Sequence, residues 1–130
     1  MNWWIELGAL VSLFLIMSRI WQMRPVAGLT YVTPTAVCEF VQMDPAVKLI
    51  DIRDPVDYME CHLEGSTSIY VGRLPYVWRK ELSVLDSVVI LGSSAREVRK
   101  AARILKRRGF VKLYAVRAYR CQPCAGEATC

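Results

Sequence analysis

The sequence predicts an α/β protein: a mostly parallel central sheet flanked by helices and preceded by one transmembrane helix. Three observations predict it. Short apolar runs bounded by turn residues alternate with helical patterns along residues 31–118. Residues 3–18 hold a single charge, Glu6, whereas all 17 Lys and Arg stand at or beyond Arg19. At 130 residues, with 54% hydrophobic and 22% charged side chains, the chain is too apolar to be disordered and long enough for one domain plus an appendage.

The first element is residues 3–21, WWIELGALVSLFLIMSRIW. Nineteen residues at 1.5 Å each span about 28 Å, close to the hydrocarbon thickness of a bilayer. Trp3 and Trp4 mark one end and Trp21 the other, as interfacial aromatics do. Glu6 lies one turn inside and can reach the headgroups. A cleaved signal peptide needs a basic stretch before the apolar run, and none is present; an interfacial helix needs a polar face. A buried core helix stays open, because the charge-free run 7–18 is only twelve residues. Arg19 and Arg24 flank the C-terminal end alone, so that side is expected to be cytoplasmic. The protein is then single-pass, with its soluble domain in the cytoplasm. Five cysteines, an odd number scattered through a non-repetitive chain, make a poor disulfide framework and suit a reducing compartment.

Residues 1–22 are thus the transmembrane helix, 23–30 a linker, 31–118 the domain and 119–130 a flexible tail with cysteines. Within the domain, Thr33–Pro34 starts a helix as N-cap and first-turn proline, with Val37, Phe40 and Val41 on one face. Residues 47–52 are a strand. Asp54–Pro55 starts a short helix to about Glu60. Residues 68–71 read as a buried strand, 73–82 as a helix through Leu74, Val77, Trp78 and Leu82, and 87–91 as a strand. Residues 96–108 carry Val98, Ala101, Ala102 and Leu105 at helical spacing, ended by Gly109. Residues 112–116 are the last strand.

The segment LIDIRDPVDYMECHLEGSTSI, residues 49–69, resembles the rhodanese-like (sulfurtransferase homology) family pattern of a strand, D-x-R-x-x-x-E/D-Y and then G-H-I-x-G-A-x-x-I. Asp51, Arg53, Asp57, Tyr58, His62, Gly65 and Ile69 fall on matching positions, while Cys61 stands where the family has Gly before His. Residues 101–116, AARILKRRGFVKLYAV, are similar to the family's last helix, turn and final strand. These residues read mostly as scaffold. Asp51 and Arg53 end a strand, Asp57 is a plausible partner for Arg53, and His62, the single histidine, ties neighbouring backbone groups together. Asp51, His62 and Gly65 are expected near the C-terminal edge of the sheet.

The resemblance implies a nucleophilic Cys after the fourth strand, in a loop whose N–H groups and helix dipole stabilise the thiolate and hold a persulfide. That position falls on Gly92, and the loop is Gly92, Ser93, Ser94, Ala95, Arg96 and Glu97. No catalytic residue is therefore assigned. Glu97 also stands where the family loop commonly ends in Arg, and its charge opposes an anionic donor. Gly-Ser-Ser before a basic helix could still cradle an anion, or Ser94 is an ordinary N-cap.

Residues 96–120 carry ten basic side chains and one acid. Such a face suits anionic lipid or a protein partner besides the bilayer itself; no nucleic acid is expected. Arg99, Lys100, Arg103, Lys106 and Arg107 should be exposed. Cys121 and Cys124, spaced C-x2-C with Cys130 beyond, and Cys61 are possible reactive thiols. No metal or cofactor is assigned. The expected function is a membrane-anchored, non-catalytic binding or regulatory module. The alternatives are a sulfurtransferase or persulfide carrier using Cys61 or a tail Cys, and a Cys-based metal or redox sensor.

Overall fold

The computed structural model describes residues 2–120; Cys121, Cys124 and Cys130 lie outside the described residues. The elements are α1 (Trp3–Met23), β1 (Leu29–Tyr31), α2 (Pro34–Met43), β2 (Lys48–Asp51), α3 (Pro55–Glu60), β3 (Ser66–Ser68), α4 (Leu74–Glu81), β4 (Val88–Leu91), α5 (Ala95–Arg107) and β5 (Leu113–Val116). All four strand pairings are parallel, in the order β1-β5-β4-β2-β3. Every connection therefore crosses from the C-terminal edge of the sheet back to its N-terminal edge.

Local chemistry sets the helix ends. The Thr33 hydroxyl accepts from the Ala36 N–H at 3.2 Å, and the Asp54 carboxylate from the Val56 N–H at 3.0 Å, with a proline following each cap. Gly109 ends α5 at φ +101°, a left-handed conformation that a side chain resists.

Two apolar layers cover the two faces of the sheet. Ile50, Val88, Ile90, Leu113 and Ala115 meet Val98, Ala101, Ala102 and Leu105 of α5 and Leu74 and Trp78 of α4. Alternate residues Leu49, Val89, Leu91 and Val116 meet Val37 of α2, Leu63 and Tyr119. The period-two alternation along β4 thus fills both layers, as a strand buried on both faces requires. Phe40 touches the Tyr114 ring at 5.2 Å but stays 36% exposed, so it rims its layer.

Some expectations need correction. The linker does not reach residue 30, because Leu29–Tyr31 pairs with Leu113–Ala115 as an edge strand. The strand expected at 68–71 lies at Ser66–Ser68; the buried Ile69 and Val71 suggested the later placement. Their N–H groups donate to the Asp51 and Ile52 carbonyls at 2.9 and 3.3 Å, past the regular ladder. No residue of α1 is buried, which removes the core-helix alternative. The helix spans 21 residues, about 31 Å, and is long and apolar enough to cross a membrane. The cysteine expectation also fails: Cys38 and Cys61 are each disulfide-bonded.

Leu105 is fully buried and Leu85 is 84% exposed. Leu105→Ala should therefore lower stability by about 2–5 kcal/mol, and Leu85→Ala should change it by under about 0.5 kcal/mol. Urea denaturation of the full chain followed by circular dichroism checks both.

Candidate functional site

At the C-terminal edge of the sheet, β2 ends in Asp51, which is fully buried. A buried carboxylate must be paired, and Arg53 pairs it. Arg53 Nε donates to Asp51 Oδ1 at 2.9 Å and Nη2 to Oδ2 at 2.7 Å, a two-pronged ion pair. The Arg53 backbone N–H adds a third bond to Oδ1 at 3.1 Å. The Asp51 hydrogen bonds raise the Arg53 pKa above its usual value against the opposing pull of burial. Arg53 also donates to the Cys61 carbonyl at 2.7 Å and lies 5.0 Å from the centre of the Tyr119 ring. Its partner is thus Asp51, two residues back. Asp57 is exposed and adds only a weak favourable field.

His62 is exposed, stacks on the Tyr58 ring at 4.0 Å, and places Nδ1 2.9 Å from the Tyr58 carbonyl. The Tyr58 hydroxyl donates to the Ser66 carbonyl at 2.8 Å. These contacts brace the connection from α3 to β3, as the scaffold reading expects. Gly65, at φ +84°, immediately precedes β3. It lies at the N-terminal end of that strand rather than at the C-terminal edge, because the descending loop needs its turn there.

The loop after β4 lies beside the Arg53 cluster. The Tyr119 N–H donates to the Gly92 carbonyl at 2.7 Å. Gly92 is buried, and a Cβ there would sit 2.7 Å from Val98 Cγ2 and 3.2 Å from Ile52 Cδ1. Both neighbours are fully buried core residues, so any side chain at 92 displaces packing. Ser94 is the N-cap of α5, its hydroxyl accepting from the Glu97 N–H at 3.4 Å. Ala95 opens the helix and Arg96 points to solvent in its first turn. Glu97 Oε2 accepts from the Ser93 hydroxyl at 2.7 Å and from the Ser93 N–H at 3.3 Å. The positive end of α5 therefore already carries an anion, supplied by the chain itself.

The sequence profile of the Rhodanese-like domain matches residues 38–118. The chain belongs to the rhodanese-like family. No curated protein matches it significantly. Among solved structures, the solution NMR structure of the rhodanese-like domain of the Anabaena sp. Alr3790 protein is 17% identical with a TM-score of 0.59, covering 71% of this chain and 69% of that one. A crystal structure of the Alr3790 protein gives 18% identity and a TM-score of 0.58, covering 62% and 66%. EanB, in a variant with a cysteine persulfide and ergothioneine, gives 20% identity and a TM-score of 0.58 over 68% of this chain and only 24% of its own. At these identities the likeness carries the fold.

Two features of this rhodanese-like edge had weak sequence signals. Tyr119 was assigned to the tail, yet it is buried beneath Arg53. The Ser93–Glu97 contact has an i, i+4 spacing that could have suggested it.

Arg53→Met leaves Asp51 buried without its partner and should cost about 3–5 kcal/mol. Asp51→Asn combined with Arg53→Met should cost clearly less than the sum of the single changes. A double-mutant cycle by urea denaturation measures that coupling.

Proposed function

We propose that this rhodanese-like protein is a membrane-anchored module that binds a target without turning it over. Sulfur transfer through a persulfide needs a thiolate at the helix N-terminus, attacking the donor and holding the transferred sulfur. One observation carries the reading. On the alignment we adopt, the family's nucleophile position falls on Gly92, where a Cβ would meet Val98 Cγ2 at 2.7 Å and Ile52 Cδ1 at 3.2 Å. Glu97 strengthens it by taking the Ser93 donors that an anionic donor would need. Cys61, the nearby thiol of the alternative reading, is engaged in a disulfide.

Thiosulfate:cyanide sulfurtransferase assays on the detergent-solubilised full chain test this. Wild type should run at background. Gly92→Cys alone should be destabilised and inactive, and Gly92→Cys with Val98→Ala should gain measurable turnover. Substantial wild-type turnover that disappears in Cys61→Ser would overturn the binding module in favour of an enzyme.

In this proposal α1 is a single membrane span with the domain on the cytoplasmic side. Arg19 and Arg24 flank only its C-terminal end and bias insertion. The Cys38 and Cys61 disulfides favour an oxidising compartment instead. The arginines take precedence because insertion fixes orientation before the domain folds. Protease should then cut the domain in inverted membranes and spare it in right-side-out ones. The opposite pattern reverses the orientation.

A further inference from the structure

The chain enters the domain at the N-terminal edge of the sheet, where β1 begins. That entry is clamped by α5. Arg103 Nη2 donates to the Gln22 carbonyl at 3.1 Å and to the Arg24 carbonyl at 2.9 Å, and Lys106 Nζ to the Ala27 carbonyl at 2.6 Å. The last carbonyls of a helix are the negative end of its dipole and have no partners within the helix, so Arg103 is well matched at Gln22, while Lys106 holds the chain beyond the helix at Ala27. Val26 and Leu29 pack against the core on the same side. The clamp fixes how the domain leaves α1, and it turns the N-terminal edge of the sheet toward α1.

The loops of that edge share an unusual chemistry. Met43, Leu85 and Val111, from the ends of three different connections, are 84%, 84% and 79% exposed. The loops preceding β4 and β5 are adjacent, with the Gly109 Cβ direction meeting Val84 at 3.9 Å. Arg24, Lys48, Arg107, Arg108 and Lys112 are exposed around them. Of the acids on this edge, Asp44 and Asp86 are each turned back to cap their own loops, and Glu64 is exposed before β3, the edge strand farthest from β1. Beside Lys106, an open pocket of about 220 Å³ is lined by Ala27, Gly28, Phe110, Val111 and Leu113. Exposed apolar tips set among cations suit an interface whose outer layer is anionic and whose interior is apolar.

We infer that the N-terminal edge of the sheet docks on the anionic phospholipid headgroups of the membrane that α1 enters. Leu85 and Val111 reach into the interface, and Arg107, Arg108 and Lys112 meet the headgroup phosphates. This rests on the reading of α1 as a membrane span. It also sets the position of the Gly92–Glu97 loop. α5 runs from that loop to the docked edge over 13 residues, about 20 Å, so the loop faces the aqueous phase. Its target is therefore water-soluble rather than a lipid.

Amide hydrogen exchange on the full chain, one copy per nanodisc, tests the inference. The discs hold phosphatidylcholine alone or mixed with phosphatidylglycerol. In the anionic discs, residues 83–87 and 108–112 should exchange about tenfold slower, while residues 92–97 are unchanged. High salt should reverse the effect, and R108E with K112E should remove it while circular dichroism stays that of wild type. Equal exchange in both lipids would overturn the docking. Protection seen only when two chains share a disc would overturn it in favour of a second copy of the chain. A chain that fails to stay with the discs at all refutes the anchor reading itself, and the docking with it.

Discussion

The Arg53 guanidinium is shared by three stretches of chain that are far apart in sequence. It neutralises Asp51 at the end of β2, holds the Cys61 carbonyl after α3, and covers Tyr119 beyond β5. Tyr119 in turn fixes the carbonyl of Gly92 through its own N–H. The whole C-terminal edge of the sheet is thereby organised around one desolvated cation. Such a pair adds little net stability over an apolar substitute, because removing two charges from water costs nearly what their attraction returns. Its effect is geometric: it sets where the loops stand relative to each other. An arginine suits this task because its planar fork satisfies a carboxylate with two prongs and still offers donors to a carbonyl.

The Gly92 loop sits hard against the core of the domain. β4 and α5 approach closely there, with Val98 filling the space a side chain would use. Glu97 then closes the loop electrically, since its carboxylate takes the Ser93 donors next to the positive end of α5. Steric filling and charge compensation act at the same place. Together they favour a rigid, self-satisfied turn over an open anion site.

Features written in local chemistry were legible in the sequence. Thr33–Pro34, Asp54–Pro55, Ser94 and Gly109 mark helix ends by capping and backbone conformation, and the structure uses them so. The stripe of Val98, Ala101, Ala102 and Leu105 gave the buried face of α5 directly. Features made by tertiary contact were not legible. β1 is three residues, too short for the alternation of Leu29, Thr30 and Tyr31 to mark a strand, and it is held by its pairing with β5. β3 lies at Ser66–Ser68 rather than 68–71 because the polar residues make the ladder, while the apolar Ile69 and Val71 are buried beyond it. Arg99 and Arg103, expected to be exposed with Lys100, Lys106 and Arg107, are half-buried, and Arg103 is so because it donates to carbonyls at the end of α1 and just beyond it. At the site, the Ser94 N-cap was recognisable by residue type. The burial of Tyr119 was not, since nothing local to Arg117–Arg120 announces it.

The sheet ends on both sides in strands of three residues, β1 and β3. An unpaired strand edge is a template on which another chain can add its own backbone, and longer, flatter edges make better templates. Here neither edge offers enough consecutive donors and acceptors to seed such growth, and β3 presents Ser66, Thr67 and Ser68 rather than an apolar ladder. Molecules of this protein at high local concentration are thereby protected from fusing into a continuous sheet through repeated collisions.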